Sequence, residues 1–332
     1  MVQERVLWLD VARGIGILLV VFGHVCTEPT AARFVYSFHM PLFFFLAGIT
    51  RSFSGGAQNV RRRARRLLLP YFLFSIACFA YWALLESHFR PGHYSVPQAF
   101  ANIFLARGDG FIYNSVLWFL PCLFVLEVVL TRYMLLANVL CLFVVAAYVL
   151  ANGNALVCGV DIRSIKPFWM LDAALAALPF YMAGYHAQAS LLCRGNCDKR
   201  TGNAVRLAIV LCCLAFVALF SQKTDLALLV FPSAGVFFSC TALGIYAVIQ
   251  LSRMAENTRF LQYLGEISLY LMCIHEPVKR IVLKIMGYAL HTNVDGIRND
   301  IVLSVVATLA VVVICIPLCR YLAGVQKRFG QK

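Results

Sequence analysis

The first hydrophobic segment of the sequence carries three polar side chains that could do chemistry. Residues 6–26 are long enough to span a bilayer, yet they include Asp10, Arg13 and His24. At about 100° per residue, this spacing places all three within a narrow stripe on one helix face. Because ionisable groups at membrane depth are costly, the stripe is predicted to face protein or water and to serve a function.

The three side chains suit different tasks. With an unperturbed pKa of about 6.5, His24 could act as a general base toward a hydroxyl, and a structural hydrogen-bonding histidine is the alternative. Asp10 lies about 21 Å from His24 along the helix, too far to orient it. We therefore expect Asp10 to pair with Arg13, and any orienting partner of His24 must come from another helix.

A run of five arginines leads into the third apolar segment, in the sequence NVRRRARRLLLPY. Arg62 with Arg65, or Arg63 with Arg66, are three residues apart on one helix face and could bind a pyrophosphate. The alternative interpretation is an anchor of membrane topology, and the two roles are compatible.

Two further segments combine ionisable groups with a helix-breaking proline. His39 lies two residues before Pro41, and the pair His275 and Glu276 directly precedes Pro277. Proline frees backbone carbonyls that can face a cavity, so both segments are typical of a polar cavity within a membrane protein. A kinked helix with a structural histidine is the alternative for each.

Trp118 opens the fourth apolar segment and is expected near the depth of His24 and His39. An exposed tryptophan could stack on a sugar ring, although an interfacial tryptophan also anchors a helix in the bilayer. A metal site built from His24, His39 and His275 lacks the paired spacing of zinc ligands. No metal is therefore expected.

The composition is that of a polytopic membrane protein. Of the 332 residues, 61% are hydrophobic and 13% are charged, and the mean hydropathy is +0.80, which excludes a soluble domain. The net charge of +14 lies in short segments between apolar runs, so no nucleic-acid partner is expected. The first segment is interrupted by charge, which favours a retained helix over a cleaved signal peptide.

Apolar runs of roughly 17 to 25 residues predict an all-α protein of ten membrane-spanning helices in a single domain, residues 1–332. The spans are expected at 6–26, 34–50, 67–86, 115–131, 133–152, 168–187, 205–220, 226–251, 263–286 and 300–322. Lysine and arginine in the connections favour cytoplasmic termini. This topology puts Arg13 and the arginine run on the cytoplasmic side and His24 near the outer side.

Three basic residues oppose this orientation. Lys279, Arg280 and Lys284 fall toward the outer end of the ninth predicted span. They either line a polar cavity or reach the outer interface with their long side chains.

The order and spacing of these motifs resemble the acyltransferase-3 family of integral-membrane O-acyltransferases, most closely its fucose 4-O-acetylase-like branch. The family's opening pattern is matched by Asp10, Arg13 and Gly14, with ten residues between Arg13 and His24. Further matches are FHMPLFFFLAG at 38–48, RRLLLPY at 65–71, LWFLP at 117–121, FYMAGY at 180–185 and SLYLMCIHEP at 268–277. The resemblance covers nearly the whole chain.

The resemblance implies transfer of an acyl group, usually acetyl from cytoplasmic acetyl-CoA, in the bacterial inner membrane. The acceptor would be a hydroxyl of an envelope carbohydrate, such as O-antigen, capsule, exopolysaccharide or a lipid-linked sugar. By position, Arg13 and His24 match the family's essential pair, and the arginine run matches its cytoplasmic RxxR element in an ambiguous register. Some relatives carry an additional hydrolase-like domain that passes the acyl group onward. No such domain is read in this sequence, so the chain is expected to act alone or with a separate acyl-accepting protein.

These expectations combine into one hypothesis. Acetyl-CoA would bind its phosphates on the arginine run and extend past Asp10 and Arg13 toward His24, which either activates the hydroxyl or is itself acylated. The main alternative is a secondary transporter or flippase, since transporters also use intramembrane charges and broken helices. The absence of an evident inverted repeat argues against transport.

Overall fold

The computed structural model describes residues 5–51, 57–88, 95–108, 110–151, 156–157, 160–161, 166–192 and 202–330. The described chain is helical, which confirms the all-α prediction, apart from one antiparallel pair of two-residue strands. The helices are α1 (Leu7–Val25), α2 (Pro29–Tyr36), α3 (His39–Ile49), α4 (Ala57–Tyr81), α5 (Val96–Leu105), α6 (Phe119–Val125), α7 (Met134–Ala151), α8 (Leu171–Leu192), α9 (Asn203–Phe220), α10 (Ala234–Met254), α11 (Arg259–Ala289), α12 (Val294–Asn299) and α13 (Ile301–Gly330). The strands are β1 (Leu156–Val157) and β2 (Val160–Asp161).

Short segments of other helical type extend several of these helices. The 3-10 turns are Ser115–Trp118 and Phe168–Met170, and the π-helical turns are Trp82–Glu86 and Leu126–Leu130. The π turn at Leu126–Leu130 continues α6 and carries a buried glutamate of the site described below.

Six helices in the described part of the chain are long and apolar enough to cross a membrane. They are Leu7–Val25, Pro29–Ile49, Asn59–Glu86, Asn203–Phe220, Ala234–Met254 and Ile301–Gly324. The other four predicted spans coincide with shorter helical segments, Ser115–Leu130 and Met134–Leu150, or with the longer helices α8 and α11. The structure therefore supports a multi-pass membrane protein, while ten spans and cytoplasmic termini stay predictions.

Three predicted spans differ most in their bounds, and the helix of the third begins at Ala57 rather than at residue 67. The second is broken between α2 and α3 at Ser37 and Phe38. The eighth, expected from residue 226, begins only at Ala234, because the preceding loop is closed by backbone hydrogen bonds between Asp225 and Val230. Apolar runs in the sequence do not distinguish such a loop from a helix.

Prolines in α3 and α11 free backbone carbonyls, as predicted, but the two freed carbonyls accept hydrogen bonds from side chains of other segments. Pro41 leaves the Ser37 carbonyl without its helical donor, and the Thr241 hydroxyl donates to that oxygen at 2.6 Å. Pro277 does the same to Cys273, whose carbonyl accepts from Asn114 Nδ2 at 2.8 Å. Each freed carbonyl therefore ties α3 or α11 to a neighbouring segment.

Helix α1 packs most extensively against α11, and glycines make the contact close. A Cβ on Gly14 would overlap the Leu261 carbonyl, and a Cβ on Gly265 would overlap the Asp10 carbonyl. Small residues at such positions allow two helix backbones to touch. The helices α3 and α8 meet in the same way through Gly48 and Gly184.

Candidate active site

The predicted pair of Asp10 and Arg13 is confirmed and has a third member. Arg13 Nη1 donates to Asp10 Oδ1 at 3.2 Å, and Arg5 Nε donates to Asp10 Oδ2 at 2.6 Å. Arg5 also pairs with Glu266 of α11 at 2.5 Å. The hydrogen bond to Asp10 raises the pKa of the Arg5 guanidinium. A buried carboxylate is thus held between two cations at this end of α1.

A cavity of about 340 Å³ opens beside this group. Its charged lining is two guanidinium groups and one carboxylate, and Glu266, outside the lining, pairs with one of the guanidinium groups. Residues that line it are Arg5, Val6, Leu9, Asp10, Arg13, Ile49, Thr50 and Leu192. Its size is within the usual range of small-molecule sites. We call Asp10, Arg13 and this cavity the arginine end of α1.

The structure distinguishes the two arginine pairs of the run, Arg63 with Arg66 and Arg62 with Arg65. Arg63 and Arg66 face Glu127: Arg63 Nε and Arg66 Nη2 each lie 3.4 Å from a carboxylate oxygen of Glu127. Arg63 Nη1 also donates to the Glu127 carbonyl at 3.0 Å. Arg62 and Arg65 are exposed. Arg66 is more than half exposed and repels Arg13 electrostatically, which places it near the arginine end of α1.

Glu127 and Arg51 were not among the predicted site residues. Arg51 donates to the hydroxyl and the carbonyl of Thr131 and, at 3.2 Å, to the hydroxyl of Tyr181. It thereby satisfies backbone at the end of the π turn that carries Glu127. A lone glutamate in the apolar run LFVLEVVL is a sequence signal that could have identified Glu127.

The opposite end of α1 brings imidazole and phenol rings together. The ring of His24 lies 5.3 Å from that of His275 and 6.5 Å from that of Tyr36. Tyr36 in turn lies 4.9 Å from His39. His24 is half-buried, whereas His39 and His275 are buried. We call these four rings the histidine end.

Two of these histidines have a defined proton position. His39 Nδ1 lies 2.8 Å from the Val35 carbonyl, and His275 Nδ1 lies 3.0 Å from the Leu271 carbonyl. Since a carbonyl oxygen only accepts, Nδ1 is the donor in both bonds. In the neutral ring, Nε2 then carries the lone pair.

Beside the histidine end, α11 carries a buried ion network. Lys279 Nζ donates to both carboxylate oxygens of Glu276, at 2.7 and 2.9 Å. Arg280 lies 2.8 Å from Glu86 and 3.3 Å from Glu276. Two acids and two bases compensate one another, which burial requires. Glu276 also attracts His24 electrostatically.

The ion network shows which of the three basic residues of the ninth span face the interior and which one reaches the surface. Lys279 and Arg280 bind buried carboxylates and therefore face the protein interior. Lys284 is exposed.

The expected exposure of Trp118 is wrong. Its side chain is 8% exposed, and its ring packs 6.3 Å from that of Phe44 and 6.2 Å from that of Phe119. Helix packing buries it because the 3-10 turn Ser115–Trp118 enters the core rather than the surface.

The site therefore has two chemically distinct ends, joined by one helix. Arg13 and His24 are separated by about 16 Å at 1.5 Å per residue. Cations at one end suit an anionic ligand, and imidazoles at the other suit proton or acyl transfer. Among the described residues, no three His, Cys, Asp or Glu side chains are placed to hold a metal ion.

We predict that Glu276→Gln lowers the free energy of unfolding by about 3 kcal/mol or more, because Lys279 then stays buried without its countercharge. The matched control is Glu266→Gln, which removes the partly exposed pair with Arg5 and should cost at most about 1 kcal/mol. Thermal unfolding of the two variants in detergent measures both effects. Equal losses would contradict a buried network at Glu276.

Comparison with known proteins identifies the family of the chain. Residues 6–320 match the acyltransferase 3 family, whose matching unit is an acyltransferase domain. Comparisons with curated proteins and with solved structures found no match. The matched range covers nearly the whole chain and includes both ends of α1, the arginine run and the ion network. The chain therefore belongs to the acyltransferase-3 family and is a membrane acyltransferase.

Proposed function

We propose that this acyltransferase moves an acetyl group from cytoplasmic acetyl-CoA to a hydroxyl of an envelope carbohydrate in the bacterial inner membrane. It would act within the fucose 4-O-acetylase-like branch of its family, as one membrane domain of ten spans with cytoplasmic termini. The observation that carries this proposal is the pairing, on α1, of a cationic cavity with a cluster of histidines. The family match favours this enzyme over a transporter or flippase.

The arginine end suits the donor. Acetyl-CoA is rich in phosphate, and guanidinium groups bind phosphate through two parallel hydrogen bonds. Arg62 and Arg65 are exposed and available to it, whereas Arg63 is held by Glu127 and fixes the orientation of the run. Arg66 pairs with Glu127 but is more than half exposed, so both binding the donor and holding the run in place are open to it. The long pantetheine arm would then pass Arg13 toward His24.

The histidine end suits the transfer. As the sugar oxygen attacks the thioester carbonyl, His24 accepts the hydroxyl proton, the C–O bond forms and the C–S bond breaks. The proton then passes to the departing thiolate, which gives free CoA and an O-acetyl ester. In the covalent variant, a nitrogen of His24 attacks the thioester carbonyl and expels the CoA thiolate, and the hydroxyl then takes the acetyl group from that nitrogen while its proton passes to the thiolate. Glu276 would stabilise the positive charge that His24 acquires in either route.

The polar groups around His24 suit a carbohydrate acceptor. His39, Tyr36 and the ion network around Glu276 surround His24 with polar groups that could hydrogen-bond a carbohydrate. A lipid-linked glycan would approach from the bilayer, and a separate acyl-accepting protein is the alternative recipient.

We predict that membranes containing the protein incorporate radiolabel from acetyl-CoA into a lipid-linked oligosaccharide, and that His24→Ala lowers the rate by roughly 10²- to 10⁴-fold through loss of the base. His186→Ala, which alters an exposed histidine, serves as the control and should keep the rate. Full activity of His24→Ala would show that His24 is not the base. Translocation of the sugar without acetylation would instead support a transporter.

We predict a division of labour within the arginine run. Arg62→Ala with Arg65→Ala should raise the KM for acetyl-CoA by roughly tenfold or more, through lost charge-assisted hydrogen bonds, and leave the unfolding temperature unchanged. Arg63→Ala should instead lower the unfolding temperature, because the buried Glu127 then keeps only the more exposed Arg66 as a countercharge and loses the hydrogen bond to its carbonyl. Initial-rate kinetics and thermal unfolding on the same preparations separate the two effects. The opposite pattern would mean that Arg63 binds the donor and that Arg62 and Arg65 stabilise the fold.

A further inference from the structure

His275 is a buried imidazole with one nitrogen unaccounted for. Its Nδ1 donates to the Leu271 carbonyl at 3.0 Å, so its Nε2 is a hydrogen-bond acceptor in the neutral ring. Nε2 is sealed from solvent and has no hydrogen-bond partner. Leaving a buried acceptor unpaired is costly. A donor from a neighbouring side chain would satisfy it.

His24 is the donor that the geometry offers. Its ring centroid lies 5.3 Å from that of His275, with the two planes inclined by 48°. Since a ring nitrogen lies about 1 Å from its centroid, a modest rotation of His24 brings one of its N–H groups into hydrogen-bonding range of Nε2. His24 is half-buried and lines the more open side of the pair.

We propose that His275 is the positioning residue of His24, through a hydrogen bond from a His24 N–H to His275 Nε2. The chain of bonds then runs from His24 through His275 to the Leu271 carbonyl. It fixes the tautomer of His24 and leaves the other nitrogen of that ring with a free lone pair. The inference rests on the proposed function in assigning that lone pair to the base or acyl carrier.

Chemically, Glu276 resembles the acid of a Ser-His-Asp triad more than His275 does. It is nevertheless less suited to orient His24. Its two carboxylate oxygens already accept hydrogen bonds from Lys279, and one of them also binds Arg280. It therefore acts on His24 through its charge. His275 supplies the directional bond.

The scaffold around His275 keeps the two rings in register. The Cys273 carbonyl, two residues before His275, is tied to Asn114 at 2.8 Å. Gly14 and Gly265 hold the backbones of α1 and α11 in contact where the two helices cross, near the arginine end. A positioning residue needs such support, because its partner must be held within a fraction of an ångström.

Two isosteric variants separate positioning from a structural role. His275→Gln can place its amide oxygen where Nε2 stands and keeps an acceptor for His24, but it loses the bond to Leu271. His275→Asn can keep the donor to Leu271 and has no atom at the Nε2 position. A merely structural His275 would be replaced better by Asn, and a positioning His275 better by Gln.

Each variant of the full chain, purified in detergent, is tested by two readouts. The first is acetyl transfer from acetyl-CoA to a lipid-linked oligosaccharide. The second is the rate at which diethylpyrocarbonate modifies His24, followed by mass spectrometry, which reports the free lone pair without any substrate. We expect His275→Asn to lower both rates by roughly tenfold, the effect of one hydrogen bond to a group that becomes charged, and His275→Gln to keep them within about threefold.

The outcomes distinguish the two proposals. If Asn preserves both rates as well as Gln or better, the positioning role is overturned, whatever the acetyl transfer of the unaltered protein. If His24 modification follows the expected order while no acetyl reaches the oligosaccharide, the positioning role stands and the proposed acceptor or donor is wrong.

Discussion

The contact between the backbones of α1 and α11 is the constraint on which the rest of the site depends. Gly14 and Gly265 permit it, since a side chain at either position would overlap the opposite backbone. From this crossing α11 packs extensively against α1, so α11 contributes at both ends of α1. Near the arginine end, Glu266 meets Arg5, and at the histidine end, His275 meets His24. One helix crossing therefore sets two sites about 16 Å apart.

Buried carboxylates repeat one arrangement in this protein, in which each is shared by two cations. Asp10 is bound by Arg5 and Arg13, Glu127 by Arg63 and Arg66, and Glu276 by Lys279 and Arg280. The sharing offsets the desolvation cost of the acid and leaves positive charge over. At the arginine end, Glu266 balances Arg5, so the positive charge that favours an anionic donor comes from Arg66 and the exposed arginines of the neighbouring run. At the histidine end, Glu86 balances the surplus, which keeps the surroundings of His24 near neutrality.

The sequence was sufficient for features that depend on local pattern. Helical spacing predicted the Asp10–Arg13 pair, and the chemistry of proline predicted free carbonyls before Pro41 and Pro277. The sequence could not reveal which side chains from distant segments bind these groups. That Thr241 binds a carbonyl of α3, or that His275 meets His24, depends on how helices more than two hundred residues apart pack together.

Other features of the site were missed or misjudged for the same reason. Trp118 was expected at the surface and is buried, because hydropathy does not report which face of a segment meets the core. The two registers of the arginine run are equivalent in sequence, and only the position of Glu127 separates them. The loop around Asp225 reads as apolar helix, because a closed turn and a helix can share the same composition.

In the mechanism that we propose, an acyl donor extends along α1 from the arginine end to the histidine end. A cryo-electron microscopy structure with a non-transferable acetyl-CoA analogue, in which the thioester sulfur is replaced, would show where each part of the donor lies. We expect phosphate density against Arg62 and Arg65 and the acyl carbonyl in contact with the ring of His24. Phosphate density at the histidine end, or an acyl group that stops short of His24, would contradict it.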